Sequence, residues 1–548
     1  MQRVQYFILF FGSCFSPVAS CAQKGTSDTS HKQVVEIISS YKPVLRNAVK
    51  INFSATNLNA DTSHVKLQYN IPSQNLFYTY QPLPVKPLAL QMDTALELGT
   101  RNFVKLGFGN YSTPYAKGGF SFGDGKKSLI NLYGNYISSQ GNIQYQDYSQ
   151  LNLKATGSYF TPKNEIYGSA GITQNTYNLY GYDHTLYKYS KDSVLQRFSS
   201  LTLMGGLRNT KPNESGVNYD PHVQINFFSL QNKLTENSVV VEAPAEKTFD
   251  NSFTLKVSAK EDATTYSTQY LTQNIRLTNN VFQLAPSIEI DDDRFTLHGG
   301  ITPTWDNNQS TILPDIYIEA PVKNKIFLIQ AGWVGQIIKN TYQNLTNVNP
   351  YLLPITSELN TKEIEFYAGI KATISKHFNF NAKASFISYN NLPLFINDTT
   401  SDYKGFTISN ASKANDLRIH ADMSFISQDK FTITSGLTIN GYTGIQNNSH
   451  AWGMIPIQFD ASLRWWAYKR LLIKADLNAF GGAPYLLKKD VSNTLSGGSD
   501  LSAGMEFVIN KKFSAWLDLN NIFNNTYQRW YNYPVYGLNV LAGVIYKF

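Results

Sequence analysis

The sequence predicts an all-β protein, a transmembrane antiparallel β-barrel of about 22 strands. Three observations carry that prediction. After the N-terminus no apolar run approaches the roughly 20 residues that a membrane helix needs. Charged residues are scarce, 16% of 548, against the ~25% usual in soluble chains, while Tyr and Phe number 35 and 33. Long stretches alternate apolar and polar residues with a period of two, so one strand face can meet lipid while the other meets a wet lumen.

The first residues read as a targeting signal. Arg3 gives a basic start, Tyr6 to Phe15 are apolar over signal-peptide length, and Pro17 precedes the small residues Ala19, Ser20, Cys21 and Ala22. Cleavage after Ala22 gives a mature chain beginning at Gln23. In a competing reading Val18-Ala19-Ser20-Cys21 is a lipobox and Cys21 is lipidated; simple cleavage is preferred because a barrel anchors itself. The chain then divides into a signal peptide (1–22), an N-terminal periplasmic or lumenal segment (23–100), and the barrel (101–548). Both cysteines, Cys14 and Cys21, fall in the signal region, so no disulfide framework is expected.

The alternation is plain in several places. Leu151, Leu153, Ala155, Gly157 and Tyr159 interleave with Asn152, Lys154, Thr156 and Ser158. Val104, Leu106 and Phe108, then Leu201, Leu203 and Leu207, then Val223, Ile225 and Phe227 repeat the pattern, and Ile473, Ala475 and Leu477 oppose Leu472, Lys474 and Asp476. Such strands are expected to run for 9 to 12 residues, the length of a tilted crossing.

Ten short turns are expected, at Asp124-Gly125, Pro162-Lys163-Asn164, Lys211-Pro212-Asn213, Glu246-Lys247, Asp291-Asp292-Asp293, Lys323-Asn324-Lys325, Ser375-Lys376-His377, Gln428-Asp429-Lys430, Lys469-Arg470 and Asn510-Lys511-Lys512. Longer connections lie near 178–192, 340–359, 397–415 and 485–500. Ten turns with both termini on one side give eleven hairpins, and the range 18–22 allows for weak turn signals. A soluble sandwich is disfavoured by strand length, and a propeller by the absence of a repeat of 20–50 residues.

Trp333, Trp465, Trp466, Trp516 and Trp530 are expected to form an interface girdle, because amphipathic rings prefer the membrane boundary. Trp305 and Trp452 are the best candidates for a carbohydrate-stacking platform in a loop. Nothing suggests catalysis. His31, His64, His184, His222, His298, His377, His420 and His450 form no metal-ligand spacing, and Asp291-Asp292-Asp293 lacks calcium-loop spacing. No enzyme activity, cofactor or metal is expected. The net charge of +8 comes without a Lys/Arg tract, so nucleic acid is not an expected partner.

The C-terminal run Asp518-Leu519-Asn520-Asn521-Ile522-Phe523-Asn524-Asn525-Thr526-Tyr527-Gln528-Arg529-Trp530, with Tyr533-Pro534 and Gly537, resembles the end of a TonB-dependent receptor barrel. Asn349-Pro350-Tyr351-Leu352 resembles a loop of the same receptors. Phe548 is similar to the terminal aromatic that the barrel-assembly machinery recognises. Only about 80 residues lie between the cleavage site and the first strand, too few for the family's plug, so the chain is similar to plugless, receptor-like barrels of Bacteroidetes-type bacteria. Asp192-Ser193-Val194 and Asp398-Thr399-Thr400 resemble the O-glycosylation sequons of that group.

The resemblance implies residence in the cell outer membrane and a porin-like role as a transport conduit for a solute or nutrient. The alternative is a structural barrel subunit of a larger outer-membrane complex. The expected partners are outer-membrane lipids, the barrel-assembly machinery, and a lipoprotein or other envelope-complex partner. Residues 24–97 include Val34, Val35, Ile37 and Ile38 and are expected to fold back into the lumen, or else to dock a periplasmic partner.

Overall fold

The computed structural model describes residues 102–548, apart from positions 232, 250–251, 271–272, 323–325, 376, 428–429 and 489–490. The expected signal peptide, Cys21 and the segment 23–100 therefore lie outside the described residues. What is described is a closed antiparallel barrel of 22 strands. In chain order the first are β1 (Phe103–Gly109), β2 (Thr113–Gly123), β3 (Ser128–Ser139), β4 (Tyr148–Phe160), β5 (Asn164–Asn178) and β6 (Leu195–Asn209). Strand β7 is broken by Asp220-Pro221 into Val217–Tyr219 and His222–Leu230, and both pieces pair with β8 (Leu234–Phe249). Then come β9 (Phe253–Tyr270), β10 (Gln273–Asp292), β11 (Phe295–Asp306), β12 (Gln309–Val322), β13 (Phe327–Ile338), β14 (Thr361–Thr373) and β15 (Phe378–Asn397). The last are β16 (Phe406–Ser427), β17 (Phe431–Thr443), β18 (Ile457–Tyr468), β19 (Leu471–Phe480), β20 (Gly498–Val508), β21 (Phe513–Asn520) and β22 (Asn539–Lys547). Each pairs with its sequence neighbour, and β1 pairs with β22 to close the ring, Phe103 opposite Lys547 and Gly109 opposite Leu541. Outside the wall stand two short helices, α1 (Lys191–Val194) and α2 (Tyr342–Val348).

The period of two sorts side chains as expected. Leu106, Phe108, Leu153, Leu201, Leu203, Leu207, Val223 and Phe227 point out and are exposed. In β10 the outward Phe282, Leu284, Ile288 and Ile290 are exposed, while the same face continues into Asn280, Thr278, Arg276 and Asn274. The apolar part of that strand, at ~3.4 Å per residue and a tilt near 40°, makes a band roughly 20–25 Å tall, the height of a membrane core. A closed sheet wearing such a band has no soluble packing for it, and the protein sits in the outer membrane.

The inner face carries paired charges. Lys105 meets Asp518 at 3.4 Å, Arg208 meets Glu165 at 2.7 Å, Lys256 meets Glu289 at 2.9 Å, and Lys547 meets Glu506 at 3.2 Å. Pairing is what lets a polar wall tolerate neighbouring side chains that partly exclude water.

Strands run from 7 residues in β1 to 22 in β16, and many are longer than the expected crossing. The excess lies beyond the band, on the long-loop side: in β16 the outward Leu417, Ile419 and Met423 give way to Asn415 and Lys413. Nine of the ten expected short turns lie between consecutive strands whose described ends share one rim, positions 323–325, 376 and 428–429 themselves being outside the described residues. The fourth is displaced: Glu246 and Lys247 are strand residues of β8, and the connection follows Phe249. The connection expected at 397–415 ends by Phe406, where β16 starts. Among the described residues every segment is a barrel strand or a connection between two.

Candidate functional site

The rim opposite the short turns carries the long connections, and these meet across the mouth. In a ring of 22 strands, the β5–β6 connection (179–194) and the β15–β16 connection (398–405) are ten strands apart, nearly diametrically opposed. Yet the Tyr189 hydroxyl donates to the Asp402 carboxylate, joining the two directly. Between them the β21–β22 connection (521–538) supplies Tyr533. Its ring stacks on Tyr351 of the β13–β14 connection (3.5 Å between centroids, 19°) and meets Tyr180 edge-on (4.8 Å, 70°). The Tyr533 hydroxyl donates to the Lys404 carbonyl, and the Tyr180 hydroxyl donates to the Pro534 carbonyl at 2.9 Å. Four connections thus share one aromatic cluster.

Trp530 extends it. The ring lies between Phe395 (5.2 Å) and Phe406 (5.4 Å), and Arg529, fully buried beside it, donates to the Gly453 carbonyl at 2.7 Å. Gly453 has φ +77°, a left-handed backbone that suits glycine, and a Cβ there would also press on the Trp530 ring. Backbone pairing adds to the seal: the Leu353 N–H donates to the Phe406 carbonyl (2.9 Å) and the Phe406 N–H to the Tyr351 carbonyl (3.0 Å). Burial lifts the Tyr180 hydroxyl to about 12, and lifts Tyr351 and Tyr533 further, so these rings stay neutral.

The β13–β14 connection reaches back over β8 to β10. Thr341 caps α2 by accepting from the Asn344 N–H, while Glu236 accepts from the N–H groups of Tyr342 (2.7 Å) and Gln343 (3.2 Å). Tyr266 exchanges two 3.0 Å hydrogen bonds with the Ile355 backbone, and Asn360 and Asn279 pair through both amides. Lys339 bonds Asp262 and Thr264. Glu358 lies among these groups; burial first, then the Glu236 charge, raises its carboxyl to about 7, with Lys339 offsetting part of the rise.

In the lid lies a pocket of about 760 Å³, lined among others by Tyr180, Tyr182, Asp183, Tyr187, Asp402 and Tyr531. It gathers residues from the middles of several connections rather than from strands, so lid and pocket are one structure.

The predicted tryptophans divide. Trp333 and Trp465 face lipid, Trp333 stacked on Phe366 at 5.4 Å and 8°. Trp516 does not: it shares the inner face with Ser514 and Asp518, under the Lys105 ammonium at 3.9 Å, with its indole N–H donating to the Leu106 carbonyl. Trp466 falls on the inner side by alternation with Trp465. Trp530 is buried in the lid at 2% exposure, because its hairpin folds over the mouth instead of along the wall. Of the two platform candidates, Trp452 is buried at 2% and offers no open face, and Trp305 points outward from β11 against Phe282. Phe548 faces out at the short-turn rim, its N–H bonded to the Asn102 carbonyl and its ring near Phe120 and Tyr546. The sequence reading missed Tyr180, Tyr182, Tyr187 and Tyr189; their density between Tyr177 and Lys191 was a usable signal.

No family model matches the chain, and no curated protein does. Solved structures do. The siderophore receptor PirA from Acinetobacter baumannii is similar at a TM-score of 0.63 and 10% identity, covering 82% of this chain and 80% of that one. The FrpB iron transporter from Neisseria meningitidis gives 0.63 and 11%, covering 82% and 81%. The pyoverdine outer membrane receptor FpvA from Pseudomonas aeruginosa gives 0.62 and 11%, covering 82% and 78%. At such identities the likeness speaks for the fold.

Proposed function

We propose that the chain is an outer-membrane transport conduit of the TonB-dependent receptor type, whose outer mouth is gated by the loop lid. One observation carries this reading: connections from opposite sides of the ring meet through buried aromatic rings across a lumen too wide for its own inward side chains to fill. The lipid-facing band binds outer-membrane lipids, and Phe548, presented outward at the short-turn rim, is the mark for the barrel-assembly machinery. A signal peptide removed after Ala22 brings the chain to that machinery. No catalytic role is proposed.

The test is solute flux through proteoliposomes containing a Tyr189→Cys/Asp402→Cys pair, before and after bridging with a bifunctional maleimide. A gated conduit passes small solutes before bridging and loses most of that flux afterwards. Equal flux in both states, together with unchanged solute uptake by cells lacking the gene, would hand the role to a structural barrel subunit of a larger outer-membrane complex.

A further inference from the structure

We propose that the outer half of the β11–β12 hairpin is a side door in the wall, through which a molecule built on a hydrocarbon chain passes between the lumen and the membrane. This route is separate from the mouth and does not depend on the lid.

Proline sets where the door lies. Between β10 and β11 the register runs from Val281↔Asp306 to Gln283↔Thr304 and resumes at Ser287↔Gly300, so three pairs are missing in mid-strand. The Asn307 N–H donates to the Asn280 carbonyl at 2.8 Å, and bonded pairs alternate along an antiparallel ladder. Leu284 and Pro303 therefore form one bonding pair, and Pro286 and Ile301 the next. Proline has no N–H. Each pair loses one of its two bonds, and the carbonyls of Leu284 and Ile301 have no ladder donor.

The other side of the hairpin repeats the defect. Strand β12 pairs with β13 from Val322 to Asp315 and stops there, although β13 continues to Ile338. The next residue of β12 is Pro314, and by the same alternation its missing N–H is the one that would have faced Gly335. The two are still neighbours, since a Cβ on Gly335 would come within 2.9 Å of the Pro314 ring. Residues 301–314 are therefore tied to β10 by the three pairs at 304–306 and by polar links at the tip. There Asn360 donates to Asp306 at 2.7 Å, and Asn307 donates to Asn279 at 3.4 Å.

The weakened stretch lies at lipid depth, with Leu284, Ile301 and Ile312 exposed on the outer face, Ile312 by 67%. The hydrocarbon offers no water to replace a lost backbone bond, so these interrupted ladders are a weak line in the wall.

Side chains name the ligand. Toward the mouth from the His298–Asp315 pair (2.8 Å) the lumen side carries Ala285 and Leu313, with Val334 beside Asp315; Leu313 and Val334 are buried. The stretch is thus apolar on both faces of the wall. Just below the β12–β13 break an apolar groove of about 590 Å³ crosses the outer face. Ala331, Ala368 and Ala384, paired across β13, β14 and β15, form its floor, and Trp333, Phe366 and Phe386 stand along one side. None of the residues lining it is charged. The groove is continuous with the lipid-facing band, so hydrocarbon is its occupant, and the break beside it opens that surface to the lumen.

The test places p-benzoylphenylalanine at Gln283, on the lumen face, or at Ile316, in the groove, of the full mature chain in dimyristoyl phosphatidylcholine nanodiscs loaded with tritiated palmitate. Both positions should capture palmitate on illumination. Bridging an Ile312→Cys/Ile337→Cys pair with a short bismaleimide should lower capture at Gln283 at least tenfold and leave capture at Ile316 unchanged. Pro286→Val/Pro303→Val, which restores both donors, should lower it in the same direction. Heat-modifiable gel migration shows that each variant has folded, and where the bridged pair does not fold the proline pair decides alone. Capture at Ile316 alone in the parent shows lipid in the groove and no passage, and overturns the proposal. Capture at Gln283 that persists in the bridged and the proline variants means entry through the mouth, and overturns it too. Flux of small polar solutes should be unchanged by the bridge; its loss would put the bridge's effect in the lid and remove the door.

Discussion

Tyr533→Ala is the sharpest perturbation of the lid. The side chain is 2% exposed, stacks on Tyr351, meets Tyr180 edge-on, and hydrogen-bonds the Lys404 backbone, so one ring ties together four connections. Truncating a buried aromatic to alanine costs about 3–5 kcal/mol, which includes the lost ring contacts and the cavity. Because none of these contacts touches the wall strands' ladder, the loss falls on lid closure and leaves the barrel's own stability nearly unchanged. A shift of about 4 kcal/mol multiplies the open population by about 10³. Tyr533→Phe removes only the hydroxyl bond, worth about 1 kcal/mol, and should raise opening by roughly fivefold. Single-channel recording in planar bilayers reads both. The parent should show rare, brief openings, Tyr533→Phe more frequent ones, and Tyr533→Ala a long-lived conducting state. If Tyr533→Ala, shown folded by heat-modifiable migration, conducts like the parent, the lid does not govern the pore and the reasoning fails.

Three further outcomes are expected. Leu153→Arg puts a cation on the lipid face, where the parent side chain is 43% exposed, at a cost of about 2–4 kcal/mol, whereas Lys154→Arg on the inner face should be nearly silent; folded yield in lipid vesicles compares them. Glu358 binds its proton more tightly in the closed lid, where its carboxyl is raised to about 7, than in the opened one near 4.5, so closure should weaken as pH rises through that window, by up to about 3 kcal/mol. Openings should therefore be rarer at pH 5 than at pH 8, and Glu358→Gln should flatten the profile; a parent profile already flat would contradict the buried-carboxyl account. Gly543→Ala would drive its Cβ into the Leu106 carbonyl and Gly107 at the β1–β22 seam, while Gly205→Ala meets open space, so only the first should lower folded yield on refolding.

The wall was legible because its signals are local. Period-two alternation and charged turns each sit within a dozen residues, and they place the strands correctly even where lengths were underestimated. Glu246-Lys247 misled because Lys247 lies on the outer face with its ammonium 4.9 Å over Phe249, and Glu246 takes a hydrogen bond from Asn218 inside; both are ordinary strand roles for charged residues. The alternation also held an unused answer for Trp516, which shares its face with Asp518 rather than with Leu517. The lid was not legible. Tyr180, Tyr351 and Tyr533 are far apart in sequence and follow no period, and nothing near Trp530 says that its hairpin turns inward over the mouth.

The seam between β1 and β22 has a kinetic consequence. Every other wall contact joins sequence neighbours and can form hairpin by hairpin at small cost in chain entropy. Phe103 and Lys547 stand more than four hundred residues apart, and joining ends of a chain that long as a free coil would cost about 5 kcal/mol. The growing sheet lowers that cost by curling its two edges toward each other, but until the last strand arrives it carries two unpaired edges, each a template for another chain. Closure of that seam is the final step. An assembly that stalls before it is an open, edge-exposed sheet, and errors in the last ten residues should appear as aggregation rather than as a slightly weakened barrel.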